Sequence, residues 1–483
     1  MKIDMIGHAT IFVETQDCKI LMDPVLWDPF CEGLNESCPK REVIPEKLPE
    51  FDFLVISHQH LDHFDIRSLA YLPKTVDVLI PRDKLIEDCL RQLGYTHIYP
   101  LADFTKVRSG ATTLMTTRSE VRVPEFGMVF ADDSGVFWNT VDTYFSPKTI
   151  QRVRASFPEI DFLLTTWHIS MEGKFQYNHR SSFPFELYGY LFNLINLIQP
   201  KALAPGASGF KYIGTSSWQN QLVFPVTRER FCHDIQTAFP ELAEKNIFQL
   251  DPGDRLMFND GEYHYIKGKS EYAKMLIDNR ESLDFSPVNF GNKQVDPNPE
   301  KYTLEDMKQV IEEKLCLALP QFIRDNRTSI FSEHCQWQVI YQLEIAFPDG
   351  EQIWNVDFSE DTIQVKQGRN PLANLFSYIT ASTFYSLIHR KRDWDYLVCS
   401  GEYRTFHKIY SITREGINSA ETTTLADPIQ LQFPSTYIAG NNVYEDLAKW
   451  VSSSQNLSQS EDEASMMCLG NLLIKRKKQK QSS

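Results

Sequence analysis

The stretch FLVISHQHLDH, residues 53–63, carries the strongest evidence about the fold. An apolar strand pattern is followed at once by three imidazoles and one carboxylate, on His58, His60, Asp62 and His63. Neutral imidazoles and carboxylates are the ligands that borderline divalent metals prefer. Side chains of extended chain alternate with period two, so His58 and His60 point the same way and can bind one metal together. The chain then turns, which lets Asp62 and His63 reach a second metal about 3.5–4 Å away. The alternative is a solvated histidine-rich loop.

The composition restricts the class of protein. The 483 residues carry a formal net charge of −15, and no basic face stands out before residue 450, which argues against nucleic acid as a partner. No run of about 18 apolar residues is present, so we predict no membrane span. The nine cysteines form no C-x-x-C pair, and the N-terminus does not resemble a signal peptide. These features predict reduced thiols and a cytoplasmic protein.

Changes in composition predict four segments. Residues 1–275 alternate short apolar runs with helical patterns, as a catalytic α/β domain would. Residues 276–303 include a stretch rich in Pro, Asn and Gly and are predicted to be a linker. Residues 304–450 are predicted to form an α+β accessory domain. Residues 451–483 are polar, end in a basic run and are predicted to be disordered.

The accessory segment has its own pattern of elements. An amphipathic helix is predicted over Leu304–Leu319 and a strand over Trp337–Phe347. A long apolar helix is predicted over Leu372–Ile388, and a last strand region over Tyr396–Val398 and Gly401–Phe406.

The sequence His-x-His-x-Asp-His after a strand resembles the metallo-β-lactamase superfamily. Gly7-His8-Ala9-Thr10, followed by Ile20–Pro24, is similar to the opening strands of that fold. Asn139–Thr143 resembles the segment whose aspartate, here Asp142, bridges two metals. The resemblance covers residues 1–275. It implies an α/β fold, an αββα metallo-β-lactamase sandwich, with a second, smaller α+β domain after it.

Two positions depart from the family pattern. The family supplies a further histidine about twenty residues before the bridging aspartate, and Glu120 stands in its place here. A surface role for Glu120 is the alternative. The family's final histidine follows a proline, whereas Pro205–Phe210 contains no imidazole. His168 and His179 are the candidates to replace it, each with a packed or surface role as the alternative.

Carboxylates in place of imidazoles make a harder site that suits iron or manganese. In this respect the chain is similar to metallo-β-lactamase-fold diiron oxygenases and to the catalytic part of CMP-N-acetylneuraminate hydroxylase. That likeness implies two divalent metal ions, with iron favoured over zinc, and hydroxylation of an organic substrate. One iron would be held by His58, His60, Glu120 and Asp142. The other would be held by Asp62, His63, the shared Asp142 and His168. Asp62 and Asp142 are the candidate catalytic residues.

Other interpretations stay open. A metal-dependent hydrolase would use a bridging hydroxide on an ester, lactone, amide or phosphodiester. A third interpretation is a degenerate site that serves only for binding. Asp23 and His8 are candidates to orient metal-bound imidazoles, with a plain turn aspartate as the alternative for Asp23.

The accessory domain faintly resembles sterol-carrier proteins, which implies a small-molecule substrate that is hydrophobic or bound to a carrier. A plain accessory or dimerisation domain is the alternative. The chain has no Rieske-type pair of Cys-x-His and Cys-x-x-His, so an oxygenase would need an external electron donor.

Overall fold

The computed structural model describes residues 1–121, 123–167, 183–220, 226–242, 244–283, 295–413, 416–420, 425–433, 441–454 and 465–475. They form two compact units. The first comprises the described parts of Met1–Ser170, Phe183–Ser286 and Val443–Ser483, and the second those of Pro287–Asn442. Across these described ranges, no helix has both the length and the apolar character needed to cross a bilayer.

The first unit is built mainly of strands. Before its C-terminal segment they are, in chain order, β1 (Lys2–Gly7), β2 (Thr10–Glu14), β3 (Lys19–Met22), β4 (Asn35–Ser37), β5 (Lys40–Val43), β6 (Phe53–Val55), β7 (Asp77–Pro81), β8 (Ile98–Leu101), β9 (Lys106–Ser109), β10 (Thr112–Thr116), β11 (Met128–Asp132), β12 (Gly135–Asn139), β13 (Phe162–Thr166), β14 (Ala202–Gly206), β15 (Phe210–Tyr212), β16 (Arg255–Asn259), β17 (Glu262–Ile266) and β18 (Ala273–Ile277).

Its helices in the same part of the chain are α1 (Ile66–Tyr71), α2 (Lys84–Gln92), α3 (Pro147–Ser156), α4 (Phe185–Ile198) and α5 (Arg228–Ala238). Several begin at a residue whose side chain accepts from a free backbone N–H, as Asp83 does from the amides of Leu85 and Ile86. Ser146 caps α3 in the same way, and a proline follows it at the first helical position.

The strands form two large sheets. The first has the order β17-β16-β1-β2-β3-β6-β7-β8, antiparallel from β17 to β3 and parallel from β3 to β8. The second has the order β14-β13-β12-β11-β10-β9 and continues into a C-terminal hairpin. Two-stranded ribbons pair β15 with β4 and β18 with β5.

The main core lies between the two sheets. Ile11, Met22 and Val55 of the first sheet belong to one buried cluster with Phe130 and Phe162 of the second. Alternate residues of the second sheet face the other way and pack with α3, α4 and α5; they are Met115, Val129, Trp138, Leu163 and Leu203. The alternation fixes which side chains face each layer. The αββα sandwich expected from the sequence is confirmed.

The second unit contains β19 (Ile340–Phe347), β20 (Gly350–Asp357), β21 (Val365–Gln367), β22 (Leu375–Thr380), β23 (Tyr403–His407), β24 (Tyr410–Thr413) and β25 (Gly416–Ser419). Its helices are α6 (Leu304–Glu313), α7 (Leu319–Asp325), α8 (Ser332–Gln336), α9 (Ala381–Ile388), α10 (Trp394–Ser400) and α11 (Pro428–Gln432). Five strands form one sheet in the order β21-β20-β19-β22-β23, with β19 and β22 parallel. This unit has its own buried cluster, as an α+β domain requires.

Two element predictions in the second unit are wrong. Leu372–Ile388 is not one helix, because Leu375–Thr380 is a strand whose burial alternates and which pairs with β19; only Ala381–Ile388 is helical. Tyr396–Val398 lies inside a helix that Asp393 caps at its N-terminus, not in a strand. Short apolar runs do not distinguish a buried strand from a buried helix, and the pairing partner decides.

The C-terminal part also differs from its prediction of disorder. It contains the helix α12 (Asn441–Ser454) and the strands β26 (Met466–Leu469) and β27 (Leu472–Lys475). Strand β27 pairs in parallel with β9, and Leu473 enters the core between the sheets. For residues 466–475 the prediction is wrong, because this short apolar hairpin finds the otherwise unpaired edge of β9. Residues from Val443 onward therefore cluster with the first unit rather than with an accessory domain ending at residue 450.

The predicted linker at 276–303 is ordered in the parts that the structure describes. Arg280 donates to Asp251 in the first unit at 3.0 Å. Asp296 is buried in the second unit and accepts from the amide of Ser382 at 2.8 Å.

Candidate metal centre

The candidate site lies where several strands of the first unit end. In the parallel register of β3 and β6, Met22 lies beside Val55, so the residues that follow both strands emerge at the same edge. Asp23 follows β3 directly, and the histidine motif begins shortly after β6. Such an edge is where α/β folds usually place ligand sites.

Asp23 organises the start of the motif. Its carboxylate is fully buried and accepts from the Ser57 amide and the Ser57 hydroxyl, both at 2.7 Å. It also lies 2.9 Å from Nδ1 of His63, which must donate because a carboxylate only accepts. The backbone of Asp23 is left-handed, with φ of 47°, a conformation that Asp and Asn adopt more readily than most residues. Asp23 therefore fixes the tautomer of His63 and leaves its Nε2 lone pair for a ligand.

Ser57 extends the same arrangement to His58. Because the Ser57 hydroxyl donates to Asp23, it accepts from Nδ1 of His58 at 2.9 Å. The Nε2 lone pair of His58 consequently faces the site. His60 is exposed, but its Nδ1 lies 2.8 Å from Nε2 of His58, so these two imidazoles do meet as the alternation predicts.

Asp142 reaches the imidazoles from the second sheet. It follows β12 in a tight turn, in which Asn139 Oδ1 accepts from the amide of Val141 at 3.0 Å and Val141 has φ of 55°. The Oδ2 atom of Asp142 lies 3.7 Å from Nε2 of both His58 and His63. This position between two imidazoles is the one expected of a bridging carboxylate.

Asp62 and His8 form the other side of the cluster. Oδ2 of Asp62 lies 3.6 Å from Nε2 of His63 and 3.1 Å from Nε2 of His8. His8 is buried against the rings of Phe30 and Phe210, with ring centroids 5.9 and 5.4 Å apart. The structure thus places His8 among the candidate ligands themselves rather than behind them.

The donor atoms fit a pair of cations. Two sets, His58–His63–Asp142 and His8–Asp62–His63, each offer three ligand atoms within 4.8 Å of one another, and both include His63. Nε2 of His63 and Oδ1 of Asp142 are buried without a hydrogen-bond partner among the described residues. Buried polar atoms rarely stay unpaired, so these atoms suit a metal ligand role.

Charge points to the same conclusion. Burial acts to lower the pKa of His63, but the carboxylates of Asp142 and Asp62 outweigh it and raise that pKa to about 10. Burial acts to raise the pKa of Asp142, yet the imidazoles of His58 and His63 hold it below its usual range. A cluster that favours ionised carboxylates and extra positive charge is suited to a bound cation.

Glu120 does not join this cluster. Its side chain is exposed, and its Oε1 atom approaches the Thr149 hydroxyl at 3.5 Å. The buried glutamate near the site is Glu125, whose carboxylate accepts from the Ser119 hydroxyl. Burial, together with the charge of Asp142, raises the pKa of Glu125 to about 8. The structure therefore does not bring Glu120 to the cluster, and the buried glutamate stands five residues further along the chain.

The segment of Glu125 is tied to the site by a contact that is distant along the chain. The amide of the next residue, Phe126, donates to the carbonyl of Ser57 at 3.2 Å and so ties this segment to the histidine motif. That contact links residues far apart in the chain, and spacing along the sequence does not reveal it.

The segment lacking the final histidine also reaches the site. Pro205–Phe210 comes close to His8: a Cβ on Gly209 would lie 2.9 Å from the His8 amide nitrogen. Phe210 packs edge-on against the His8 ring. This segment thus supplies close packing instead of an imidazole. His168 and His179, the predicted replacements, lie outside the described residues.

Residues 2–126 match the family model described as "Beta-lactamase superfamily domain". The matched stretch lies within the first unit. The match includes His8, Asp23 and the motif from His58 to His63, and it ends before Asp142.

Curated relatives match parts of this chain. A "Putative Rieske 2Fe-2S iron-sulfur protein" of Mycobacterium tuberculosis is 33% identical over 121 residues, 22% of this chain and 22% of its own. An "N-acyl-phosphatidylethanolamine-hydrolyzing phospholipase D 1" of Caenorhabditis elegans is 41% identical over 83 residues, 16% of this chain and 23% of its own. The chain spans about a fifth of the length of these relatives.

A solved structure, "CmlA, a diiron beta-hydroxylase from Streptomyces venezuelae", aligns with a TM-score of 0.38 and 16% identity. The alignment covers 55% of this chain and 54% of that one.

Proposed function

We propose that the first unit is a dinuclear metal enzyme that hydroxylates an organic substrate with dioxygen. The observation that carries the proposal is the position of His63. Asp23 holds its Nδ1, and its unpartnered Nε2 faces Asp62 at 3.6 Å and Asp142 at 3.7 Å. One imidazole between two carboxylates supports a site for two ions that share neighbouring ligands.

Some of these residues would bind the ions, and others orient the residues that bind them. One ion would be held by His58, His63 and Asp142, the other by His8, Asp62 and His63, with His60 and Glu125 beside them. Two bound iron ions would supply dioxygen activation, with two electrons from an external donor. Asp23 and Ser57 keep the Nε2 lone pairs of His63 and His58 directed into the site.

Iron is favoured over zinc because of the carboxylates. Asp62, Asp142 and the nearby Glu125 make the surroundings harder and more anionic than an all-imidazole site, and hard oxygen donors favour iron or manganese. In this proposal Glu125 replaces Glu120 as the additional carboxylate near the ions.

Hydrolysis is the second candidate. The observation favouring it is the 41% identity over 83 residues to a relative named as a phospholipase D that hydrolyses N-acyl-phosphatidylethanolamine. In that case the same residues would hold two ions that activate water against an ester, amide or phosphodiester.

Metal content and oxygen uptake separate these functions. The full chain is expressed with iron and zinc both available, its metals are counted, and dioxygen uptake by the chemically reduced protein is measured. We expect two irons per chain and rapid uptake. His63→Ala should lose both ions, whereas His233→Ala, at an exposed histidine of α5, should keep them.

A matched pair of glutamate variants tests the choice of iron. Glu125→Gln should lower oxygen uptake at least about tenfold, as changes beside metal ligands typically do, and Glu120→Gln should leave it unchanged. Two zincs with ester or phosphodiester turnover would replace the oxygenase proposal by the hydrolase. A protein that retains neither metal would refute both.

A further inference from the structure

A cavity lies on the first unit, on the helix-covered face of the second sheet. Its volume is about 400 Å³, and three cationic side chains line it: Lys106, Arg108 and Arg152. No acidic side chain is among its described lining residues. This contrasts with the chain as a whole, whose formal net charge is −15.

Strand register explains why the cations meet. Lys106 and Arg108 alternate on β9 with Val107, which faces the core, so both point to the outer face. On β10 the residue opposite Lys106 is Met115, and on β27 it is Leu472. These two apolar side chains line the floor of the cavity beside the Lys106 ammonium.

Arg152 comes from α3 on the opposite side. Its guanidinium carbon lies 3.9 Å from the centroid of the Phe104 ring, which holds the group flat over an aromatic surface. None of the three cations forms an ion pair with any residue that the structure describes. Unpaired cations around an apolar floor are an arrangement that an anion with an attached apolar group would complete.

The cavity is separate from the metal centre. Strand β9 is three strands away from β12, after which Asp142 lies, and three strand spacings amount to about 14 Å. The cavity also lies on the outer face of the sheet, as Met115 shows by its place in the helix-covered cluster.

We propose that this cavity binds a soluble organic phosphate, a phosphate monoester carried on an apolar or aromatic group. The guanidinium groups of Arg108 and Arg152 and the ammonium of Lys106 would contact the phosphate oxygens, since arginine matches phosphate geometry and lysine adds a point charge. The apolar part would lie on Met115 and Leu472. The C-terminal hairpin thereby forms one wall of the binding site.

Binding of 1-naphthyl phosphate and of inorganic phosphate to the full chain, measured by calorimetry, tests the proposal. We expect 1-naphthyl phosphate to bind more tightly than inorganic phosphate and to weaken as salt is added. The double variant Lys106→Gln/Arg108→Gln should raise its Kd at least about tenfold, because two charge-assisted contacts are lost. Arg82→Gln, a change at an exposed arginine just before α2 in the other layer, should leave the Kd unchanged.

His63→Ala distinguishes this site from the metal centre and from the proposed enzymatic function. If binding persists in His63→Ala and is weakened in the double variant, the cavity is the site. If binding is lost in His63→Ala and kept in the double variant, the phosphate occupies the metal centre and the proposal is overturned. Equal losses in Arg82→Gln and the double variant would overturn it as well. So would retention on vesicles containing phosphatidic acid without any binding of 1-naphthyl phosphate, since the ligand would then be a lipid surface.

Discussion

Replacing Asp23 by Asn is the sharpest test of how the metal centre is held. The Asp23 carboxylate accepts two contacts from Ser57 at 2.7 Å and one from His63 Nδ1 at 2.9 Å. Asn has nearly the same shape and tolerates the left-handed backbone at this position, so Asp23→Asn changes chemistry more than structure. Its amide nitrogen would donate where the carboxylate accepts, and His63 would no longer be fixed with its Nε2 lone pair towards the site.

The expected cost can be estimated from this geometry. Loss of a partner that orients a metal-bound imidazole typically lowers metal affinity 10–100-fold. That corresponds to about 1.4–2.8 kcal/mol of binding free energy. The assay is competition for the metal between the protein and a chromophoric chelator, with the free energy of urea unfolding of the metal-free protein measured alongside.

Asp161→Asn is the matched control. Asp161 is also buried in the first unit and accepts from the Val136 amide at 2.8 Å and from Lys201 at 2.9 Å, but it lies at the opposite end of its strand from the site. Its replacement should lower stability and leave metal affinity unchanged. Wild-type affinity in Asp23→Asn, or an equal loss in Asp161→Asn, would refute the orienting role of Asp23.

Three further outcomes follow from burial and packing. Gly209→Ala would set a Cβ 2.9 Å from the backbone of His8 and should destabilise the first unit by about 1–3 kcal/mol. Gly189→Ala, with open space in α4, should be neutral or stabilise the unit by about 0.5–1 kcal/mol, and equal free energies of urea unfolding for the two variants would contradict the close approach at Gly209. Leu473→Ala should cost about 2–3 kcal/mol because that residue is buried in the core, while Leu469→Ala, 55% exposed, should cost almost nothing; a neutral Leu473→Ala in thermal unfolding would mean that the hairpin does not close the sheet. In native protein at pH 8, a thiol reagent should modify the exposed Cys316 and Cys468 rapidly and spare Cys89. Burial raises the pKa of Cys89 to about 12, so little thiolate forms there, and rapid labelling of Cys89, mapped by mass spectrometry, would contradict its burial.

Local patterns in the sequence predict most of the first unit. The family resemblance indicates the opening strands, an apolar run marks the strand before the histidine motif, and the motif itself predicts the site. These local patterns fail where the structure of a segment depends on a strand that is distant along the chain. The hairpin at residues 466–475 lies in a segment predicted to be disordered, and only its pairing with β9 reveals it. Leu375–Thr380 is predicted to be helical, and only its pairing with β19 shows that it is a strand.

The two glutamates show why the site could be predicted only in part. Glu120 stands at the spacing that the family resemblance implies. The two glutamates differ in burial, and the segment of Glu125 is tied to the histidine motif by the bond from the Phe126 amide to the Ser57 carbonyl, two residues that are far apart in the chain. Asp23 behaves differently, because β3 and β6 are parallel neighbours in the same sheet and their register places it beside Ser57. A supporting residue can therefore be predicted from the sequence when both strands belong to one sheet. A residue contributed by the opposite sheet cannot be predicted in this way. The same reasoning applies to Asp142, which also crosses from the second sheet. The sequence predicts it because its turn, Asn139–Thr143, resembles a family segment, and Glu125 has no such signature.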